Sequence, residues 1–348
     1  MKAMLLKQIG PVREDVPALE LADVAKPLPQ KGEILIRVSA CGVCHTELDE
    51  IEGRTPPPSL PVIPGHEVVG EVVALGAGAS KHAPGDRVGV GWIFRSSGST
   101  CENLSSEFLA TGRDANGGYA EFMTVHENYA YPIPVEFADE KAAPLLCAGG
   151  VGFRALRLAN IENGQTLGLT GFGGSGHLVL QLAKHQLPHS RVFVFARSVE
   201  EQQFALKLGA DWAGDTESRP PGLCHAVIDT TPAWRPVLAA LRVLQPGGRL
   251  VINAIRKEDH DKALMSSIDY GEHLWQEKEI KSVANVTADD IREFLLLAAR
   301  AGIDPEIETF PLEDANRALW ALKNRHVRGA KVLLMDHARG TDAIRRYP

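Results

Sequence analysis

The stretch CGVCHTE at positions 41–47 places two cysteines, a histidine and a carboxylate within seven residues. Such spacing suits a redox Cys-x-x-Cys pair, a structural zinc clip, or one side of a catalytic metal site. Further donors follow as His66 and Glu67 in PGHEVVG and as Cys147 in PLLCAG. Two thiolates and one imidazole would leave the fourth zinc position open, as catalytic zinc requires. Spacing alone does not say which of the two neighbouring cysteines would bind.

A second candidate site is the segment GFGGSG, which follows the apolar run QTLGLT and precedes a helical pattern, HLVLQLAK. In a G-x-G-x-x-G of this context, the first glycine permits a tight turn. The second lets the backbone approach a pyrophosphate, and the third lets the helix pack closely. The helix N-terminus then favours the phosphate charge. A glycine turn without a ligand is the alternative, but we expect a dinucleotide to bind at Gly171, Gly173, Gly174, Ser175 and Gly176.

The residues after the next strand, RVFVFA, bear on which dinucleotide binds. An Asp or Glu there usually holds the ribose hydroxyls of NAD. This sequence has Arg197 and Ser198 instead, and its first acid is Glu200. Because an arginine and a hydroxyl suit a 2′-phosphate, NADP(H) is favoured over NAD(H). The alternative is that Arg197 stacks on the adenine or lies in solvent, and that NAD(H) is used.

The elements that must position these residues fall into two patterns. Up to about residue 150, short strands such as ILIRVSA and EVVGEVVAL are broken by Gly and Pro, which predicts a β-rich barrel or sandwich. Strands then alternate with amphipathic helices, which predicts βαβ units and a parallel sheet. We expect a β-rich domain over 1–150, a dinucleotide domain over 151–286, and a return to the first domain over 287–348. The final RGTDAIRRYP is predicted to be loose.

Overall composition narrows the class of protein. A chain of 348 residues is long enough for two cores, and 44% apolar with 23% charged residues is typical of a globular protein. A net charge of −7 without basic runs argues against a nucleic-acid partner. We expect no membrane span and a cytoplasmic location. Five cysteines in a reducing compartment are more often buried, catalytic or metal-bound than disulfide-bonded.

Taken together, these motifs resemble the zinc-dependent alcohol dehydrogenases of the medium-chain dehydrogenase/reductase superfamily. The resemblance implies an α/β fold in which a GroES-like β-rich catalytic domain accompanies a Rossmann domain with a doubly wound parallel sheet. It implies an active site in the cleft, hydride exchange between a small primary alcohol or aldehyde and NADP(H) or NAD(H), and a homo-oligomer, either dimer or tetramer. The similarity covers nearly the whole chain, through GVCHTE, GHEVVGEVVALGAGA, GGYAEF, PLLCAG, GFGGSGHL, LQPGGRLV and RGAKVLL.

The resemblance also assigns roles at the metal. It implies that Cys44, His66 and Cys147 are the zinc ligands, and that Cys41 is a bystander. Glu67 matches a carboxylate beneath the metal and is counted with the candidate metal residues.

Further roles implied by the resemblance concern the substrate and the cofactor. Thr46 matches the hydroxyl that hydrogen-bonds the alcohol oxygen and passes its proton on, and His45 matches a pyrophosphate contact. Glu47 stands where the family usually has Asp. Trp92 matches a ring that leaves room only for slim substrates, although a core tryptophan is an equal alternative.

Two departures from the family pattern stand out. Many members hold a structural zinc with four cysteines in a lobe after Trp92, but this lobe has only Cys101, with Ser97 and Ser105 where cysteines might have stood. We therefore predict one catalytic zinc per chain, no structural zinc, and a lobe held by ordinary packing. The second departure is Asp49, which replaces a histidine that ends the proton relay in many relatives.

Three rival interpretations account for fewer of these features. Zinc-free quinone or enoyl reductases share the fold and the glycine loop, but they lack the Cys, His, Cys set. A dinucleotide-binding structural or regulatory protein would use its cysteines as core residues and hold no stoichiometric zinc. A thioredoxin-like protein would need a smaller domain, and it leaves His66 and Cys147 unexplained.

Overall fold

The computed structural model describes residues 1–324 and 329–336. Two sheets dominate these residues, one of seven strands and one of six, and two-stranded ribbons accompany them. The segment RGTDAIRRYP, predicted to be loose, lies outside the described residues.

The seven-stranded sheet carries the first candidate site. Its order is β16-β17-β3-β4-β5-β9, and β8 also pairs with β3. The long central strand β3 is buried along most of its length and delivers the CGVC stretch to the sheet end. The strands of the N-terminal region are β1 (Lys2–Leu5), β2 (Glu20–Asp23), β3 (Glu33–Val43), β4 (Val68–Leu75), β5 (Arg87–Val90), β6 (Ile93–Arg95), β7 (Leu109–Ala110), β8 (Phe122–His126) and β9 (Ala130–Pro132).

The six-stranded sheet is entirely parallel, in the order β12-β11-β10-β13-β14-β15. Strand order reverses between β10 and β13, and such a switch point opens a ligand crevice at the carboxyl ends of the strands. All five residues of β10 are buried, as expected when helices cover both faces. The strands are β10 (Thr166–Thr170), β11 (Arg191–Phe195), β12 (Trp212–Gly214), β13 (Cys224–Asp229), β14 (Leu244–Ile252) and β15 (Glu279–Ser282).

Side-chain caps are present at the start of two of the described helices. Ser198 caps α5 by accepting a hydrogen bond from the Glu201 amide, and Thr287 forms a capping box with Asp290 at the start of α7. Gly302 ends α7 in the left-handed conformation. The helices are α1 (His45–Ile51), α2 (Asp139–Ala142), α3 (Ala148–Ala159), α4 (Gly174–Gln186), α5 (Val199–Lys207), α6 (Arg235–Val243), α7 (Ala288–Ala301) and α8 (Ala315–Asn324).

No single helix among the described residues is long and apolar enough to cross a membrane. The bent pair Asp139–Leu146 and Ala148–Ala159 meets the requirement by length and composition alone. Within the structure, α3 packs against α4 and α7.

The last strands join the sheet that contains β3. Strand β17 (Ala330–Leu334) runs antiparallel to β3, with Val332 opposite Gly42, and β16 (Ile307–Pro311) pairs with β17. The predicted fold class, a GroES-like β-rich part with a Rossmann-type parallel sheet, is confirmed. The domain limits at residues 150 and 286 stay predictions, and the first limit falls inside α3.

Candidate metal centre and cofactor crevice

The structure brings four of the predicted donor residues together. One donor atom from each of Cys44, His66, Glu67 and Cys147 lies within 4.8 Å of the others. The two sulfur atoms are 3.9 Å apart, close to the ~3.8 Å expected for two thiolates on one tetrahedral zinc. Cys41 is fully buried in β3, where its thiol faces the Gly42 carbonyl at 3.6 Å. The two cysteines of the CGVC stretch therefore have different surroundings.

Glu47 holds the imidazole of His66 in position. Its buried carboxylate accepts hydrogen bonds from Nδ1 of His66 at 2.5 Å and from the Cys44 amide at 2.8 Å. Nε2 of His66 is buried and has no hydrogen-bond partner among the described residues. A carboxylate on one ring nitrogen with the other nitrogen unpaired is the arrangement that metal-binding histidines usually show. The donor set therefore fits a zinc ion.

The pKa values of the two thiols shift in opposite directions. The hydrogen bond from Cys147 lowers the pKa of Cys44 well below its usual value, and the same bond raises the pKa of Cys147. Burial opposes the protonation of His66, but the Glu47 carboxylate and Cys44 outweigh it and raise the pKa of His66. The chain thus stabilises a thiolate where a metal ligand needs one.

Glu67 supplies the carboxylate of this cluster. Burial is the main cause that raises its pKa well above the usual value for a carboxyl group. A Cβ atom at Gly42 would stand 1.7 Å from Oε2 of Glu67, so the carboxylate occupies the space that a side chain would need. Glycine at position 42 therefore makes room for this carboxylate.

The first turn of α1 presents the other residues of CGVCHTE. Thr46 is buried, and its Oγ1 lies 3.6 Å from the Cys44 sulfur. His45 is exposed at the first helical residue, where a pyrophosphate contact was predicted.

Asp49 is engaged by two arginines. Its Oδ1 lies 2.5 Å from Nε of Arg54 and 3.0 Å from Nε of Arg256. Arg256 follows β14 of the parallel sheet, so this ion pair joins α1 to the carboxyl end of that sheet. Arg256 was not predicted from the sequence, although its position just beyond the carboxyl end of a parallel strand was a usable signal.

The next residue, Lys257, fixes the same segment to the parallel sheet. Its ammonium contacts the fully buried Asp229 and donates to the Thr231 carbonyl at 2.8 Å. Asp229 also accepts a hydrogen bond from Thr170 at 2.6 Å, at the end of β10. This buried network lies at the carboxyl ends of β10 and β13, and it was not predicted from the sequence.

The glycine loop after β10 combines a left-handed residue with an open backbone. Gly171 adopts a φ of 79°, and a Cβ at Gly176 would meet the Gly171 oxygen at 2.6 Å. A Cβ at Gly173 or Gly174 would meet no atom of the described residues within 4 Å, so the backbone there leaves room for close approach. The first turn of α4, which includes Ser175, has no capping side chain and no acidic residue. The loop therefore fits a pyrophosphate.

The two residues favoured for a 2′-phosphate lie at the end of β11. Arg197 is exposed, and Ser198 is half-buried. The Ser198 hydroxyl accepts the Glu201 amide at 3.1 Å, which leaves its own hydrogen available to donate.

A cavity of about 280 Å³ lies beside the metal centre. Trp92 lines it and also packs edge-on against His66, with ring centroids 4.7 Å apart. Trp92 is buried and also borders the cavity. Its predicted place in the pocket and the alternative place in the core are therefore compatible.

The shortened lobe is held by more than ordinary packing. Cys101 is exposed, whereas its neighbour Glu102 is buried. The Glu102 carboxylate accepts hydrogen bonds from the Tyr129 hydroxyl at 3.0 Å and from the Ala288 amide at the start of α7 at 2.6 Å. A buried carboxylate at a helix N-terminus thus anchors the lobe.

Comparisons with known proteins show which proteins this chain is similar to. Residues 30–135 match the family described as "Alcohol dehydrogenase GroES-like domain". A probable alcohol dehydrogenase AdhA from Mycobacterium tuberculosis is 40% identical over 96% of this chain and 97% of its own. An alcohol dehydrogenase from Geobacillus stearothermophilus is 32% identical, with 92% and 97% covered. A cinnamyl alcohol dehydrogenase structure from Sorghum bicolor has a TM-score of 0.78 at 25% identity, with 95% and 97% covered.

These similarities define an oxidoreductase. The chain belongs to the zinc-dependent alcohol dehydrogenase family of the medium-chain dehydrogenase/reductase superfamily, and it is an NAD(P)-dependent alcohol dehydrogenase. The family and the enzyme class predicted from the sequence are confirmed.

Proposed function

We propose that the protein interconverts small primary alcohols and aldehydes at a single catalytic zinc, with NADP(H) favoured over NAD(H). The observation that carries the proposal is the donor cluster of Cys44, His66 and Cys147 around a buried, unpartnered imidazole nitrogen. Glu67 is the fourth donor residue of the cluster.

A zinc ion held by this cluster would act as a Lewis acid toward the substrate oxygen and would lower the pKa of an alcohol. Cys44, His66 and Cys147 would hold the ion, and Glu47 would fix the ring of His66. The Thr46 hydroxyl, beside the Cys44 sulfur, would take up the alcohol proton and pass it on. The hydride chemistry itself belongs to the nicotinamide.

The cofactor preference is supported by the loop and strand ends of the parallel sheet. The open backbone at Gly173 and Gly174 suits the pyrophosphate, and the exposed His45 suits the same group from α1. The exposed Arg197 and the Ser198 hydroxyl suit a 2′-phosphate. These contacts together favour NADP(H).

Small substrates are supported by the position of Trp92. Its ring packs on His66 and borders the cavity, so it narrows the space next to the metal centre. A slim primary alcohol fits such a space better than a bulky secondary one.

Three further parts of the proposal concern the whole protein. A single zinc per chain is supported by the exposed Cys101, the one cysteine of the shortened lobe. A homo-oligomer is supported by the exposed edge strand β15. A cytoplasmic location is supported by the free thiols of all five cysteines.

The direct test is a panel of primary and secondary alcohols and their carbonyl products, assayed with both cofactors on zinc-quantified protein. We expect short primary alcohols to be oxidised faster with NADP+ than with NAD+. Faster oxidation of secondary alcohols would contradict the proposed substrate class. A preference for NAD+ would contradict the proposed cofactor preference.

A further inference from the structure

The cavity beside the metal centre has a mostly apolar wall with one cation in it. Trp92, Phe108 and Ile255 supply apolar surface, and Arg113, Asp114 and Thr55 supply the polar groups. Since Trp92 touches both His66 and the cavity, a substrate reacting at the metal would extend its tail toward these groups.

Arg113 is held in this wall by its neighbours. Its Nη1 donates to Oδ1 of Asp114 at 2.8 Å, and its Nε donates to the Thr55 carbonyl at 3.4 Å. The other oxygen of Asp114 accepts the Ala110 amide at 2.7 Å. Two thirds of the Arg113 side chain is buried, with 33% exposed, so the guanidinium belongs to the cavity wall rather than to bulk solvent.

Asp114 compensates the positive charge of Arg113, but the hydrogen bonds to Asp114 and Thr55 use only some of the guanidinium N–H groups. A guanidinium carries five N–H donors, and these contacts use two of them. Asp114 is 12% exposed and offsets the positive charge at close range. A substrate carboxylate would meet the negative charge of Asp114 together with Arg113, whereas an uncharged oxygen would gain a charge-assisted hydrogen bond without that repulsion.

We propose that Arg113 is a specificity-determining residue that donates a hydrogen bond to an uncharged oxygen on the substrate tail. The preferred class is therefore a small primary alcohol, or its aldehyde, that carries a second neutral oxygen such as a hydroxyl or ether. The inference rests on the proposed function, because it takes the reacting carbon to lie at the metal centre.

The test compares kcat/KM for 1-butanol, 1,4-butanediol and 4-hydroxybutyrate on zinc-quantified wild type and Arg113→Met. We expect the variant to lower the ratio of diol to 1-butanol by about tenfold or more, since a hydrogen bond to a charged group is lost. Arg113→Lys keeps the positive charge but lacks the planar guanidinium with its paired N–H donors. It should give an intermediate ratio of diol to 1-butanol. Arg37→Met, on β3, removes an exposed ion pair with Glu71 on β4 and should leave the ratio as in wild type.

A second variant tests the charge argument without removing the arginine. Asp114→Asn leaves the positive charge of Arg113 uncompensated. The kcat/KM for 4-hydroxybutyrate should therefore rise relative to that for 1,4-butanediol. An unchanged diol ratio in both Arg113 variants, or wild type that prefers 4-hydroxybutyrate to the diol, would overturn the inference. Thermal unfolding shows whether each variant is folded. If the Arg113 variants do not fold, the ratio of 4-hydroxybutyrate to diol in Asp114→Asn tests the inference. If wild type oxidises none of these alcohols with either cofactor, the proposed function fails first.

Discussion

Glu47 links two ligand residues that lie far apart along the chain, because its carboxylate accepts from both the Cys44 amide and the His66 ring. We predict that Glu47→Gln weakens zinc binding by about 10–100-fold, since the ring loses the carboxylate that orients it. Competition with a chromophoric chelator measures this change. Glu71→Gln, at an exposed surface ion pair, is the matched control. Equal zinc affinity in Glu47→Gln and wild type would mean that packing alone orients His66.

Arg197 is the residue on which the NADP(H) preference depends. We predict that Arg197→Asp lowers the ratio of kcat/KM with NADP+ to that with NAD+ by about tenfold or more, because a carboxylate repels the 2′-phosphate and can hold ribose hydroxyls instead. Arg242→Asp, at an exposed arginine at the end of α6, controls for the general change of charge. An unchanged ratio in Arg197→Asp would remove the argument for NADP(H).

The residue types of the metal centre could be predicted, but their contacts could be predicted only in part. Two thiols and an imidazole indicated a metal site, yet spacing did not separate Cys41 from Cys44, and only the family resemblance did. The structure separates them physically, since Cys41 is enclosed in β3 while Cys44 meets Cys147. The contact between Asp49 and Arg256 depends on how two sheets approach each other, and no local pattern encodes that approach.

At the scale of elements, residues 255–257 connect three parts of the site. Ile255 borders the cavity, Arg256 reaches Asp49 on α1, and Lys257 contacts Asp229 in the parallel sheet. This segment therefore couples the position of α1 to that of the cofactor crevice.

We predict that Arg256→Met lowers kcat by about tenfold. The variant loses the ion pair between Arg256 and Asp49, so α1 and the carboxyl end of the parallel sheet would align the substrate and the cofactor less well. Asp49→Asn should act on the same contact, so the double variant should be no worse than the more damaged single variant. Steady-state kinetics on folded, zinc-loaded protein measures both effects. Arg235→Met, at an exposed pair with Glu217, is the control. Additive losses in the double variant would show that the two residues act independently.

Long apolar elements were predicted well, and short ones were not. The patterns ILIRVSA and EVVGEVVAL fall on β3 and β4, because alternation and Gly or Pro boundaries mark a strand when it is long enough. The three-residue strands β6 and β12 carry too few residues for a periodic signal. The anchoring of the lobe through Glu102 was also missed, since its partner Ala288 is distant in sequence.

Among the described residues, β15 forms one outer edge of the parallel sheet. All four of its residues are exposed, and Tyr270 and Trp275 expose an aromatic pair in the same stretch of chain. Unpaired edge strands offer backbone groups to another chain. We predict a homo-oligomer that Ile280→Pro shifts toward monomer, because proline removes an edge amide. Light scattering coupled to size-exclusion chromatography measures the mass, and a monomeric wild type would contradict the prediction.

Metal analysis of the purified protein measures whether Cys44, His66 and Cys147 hold one catalytic zinc. We expect about one zinc per chain in wild type and in Cys101→Ser, and far less in Cys147→Ser, which loses one of the two thiolates. Wild type with no zinc or with two per chain, or Cys147→Ser with its full zinc, would show that these three residues do not hold a single ion.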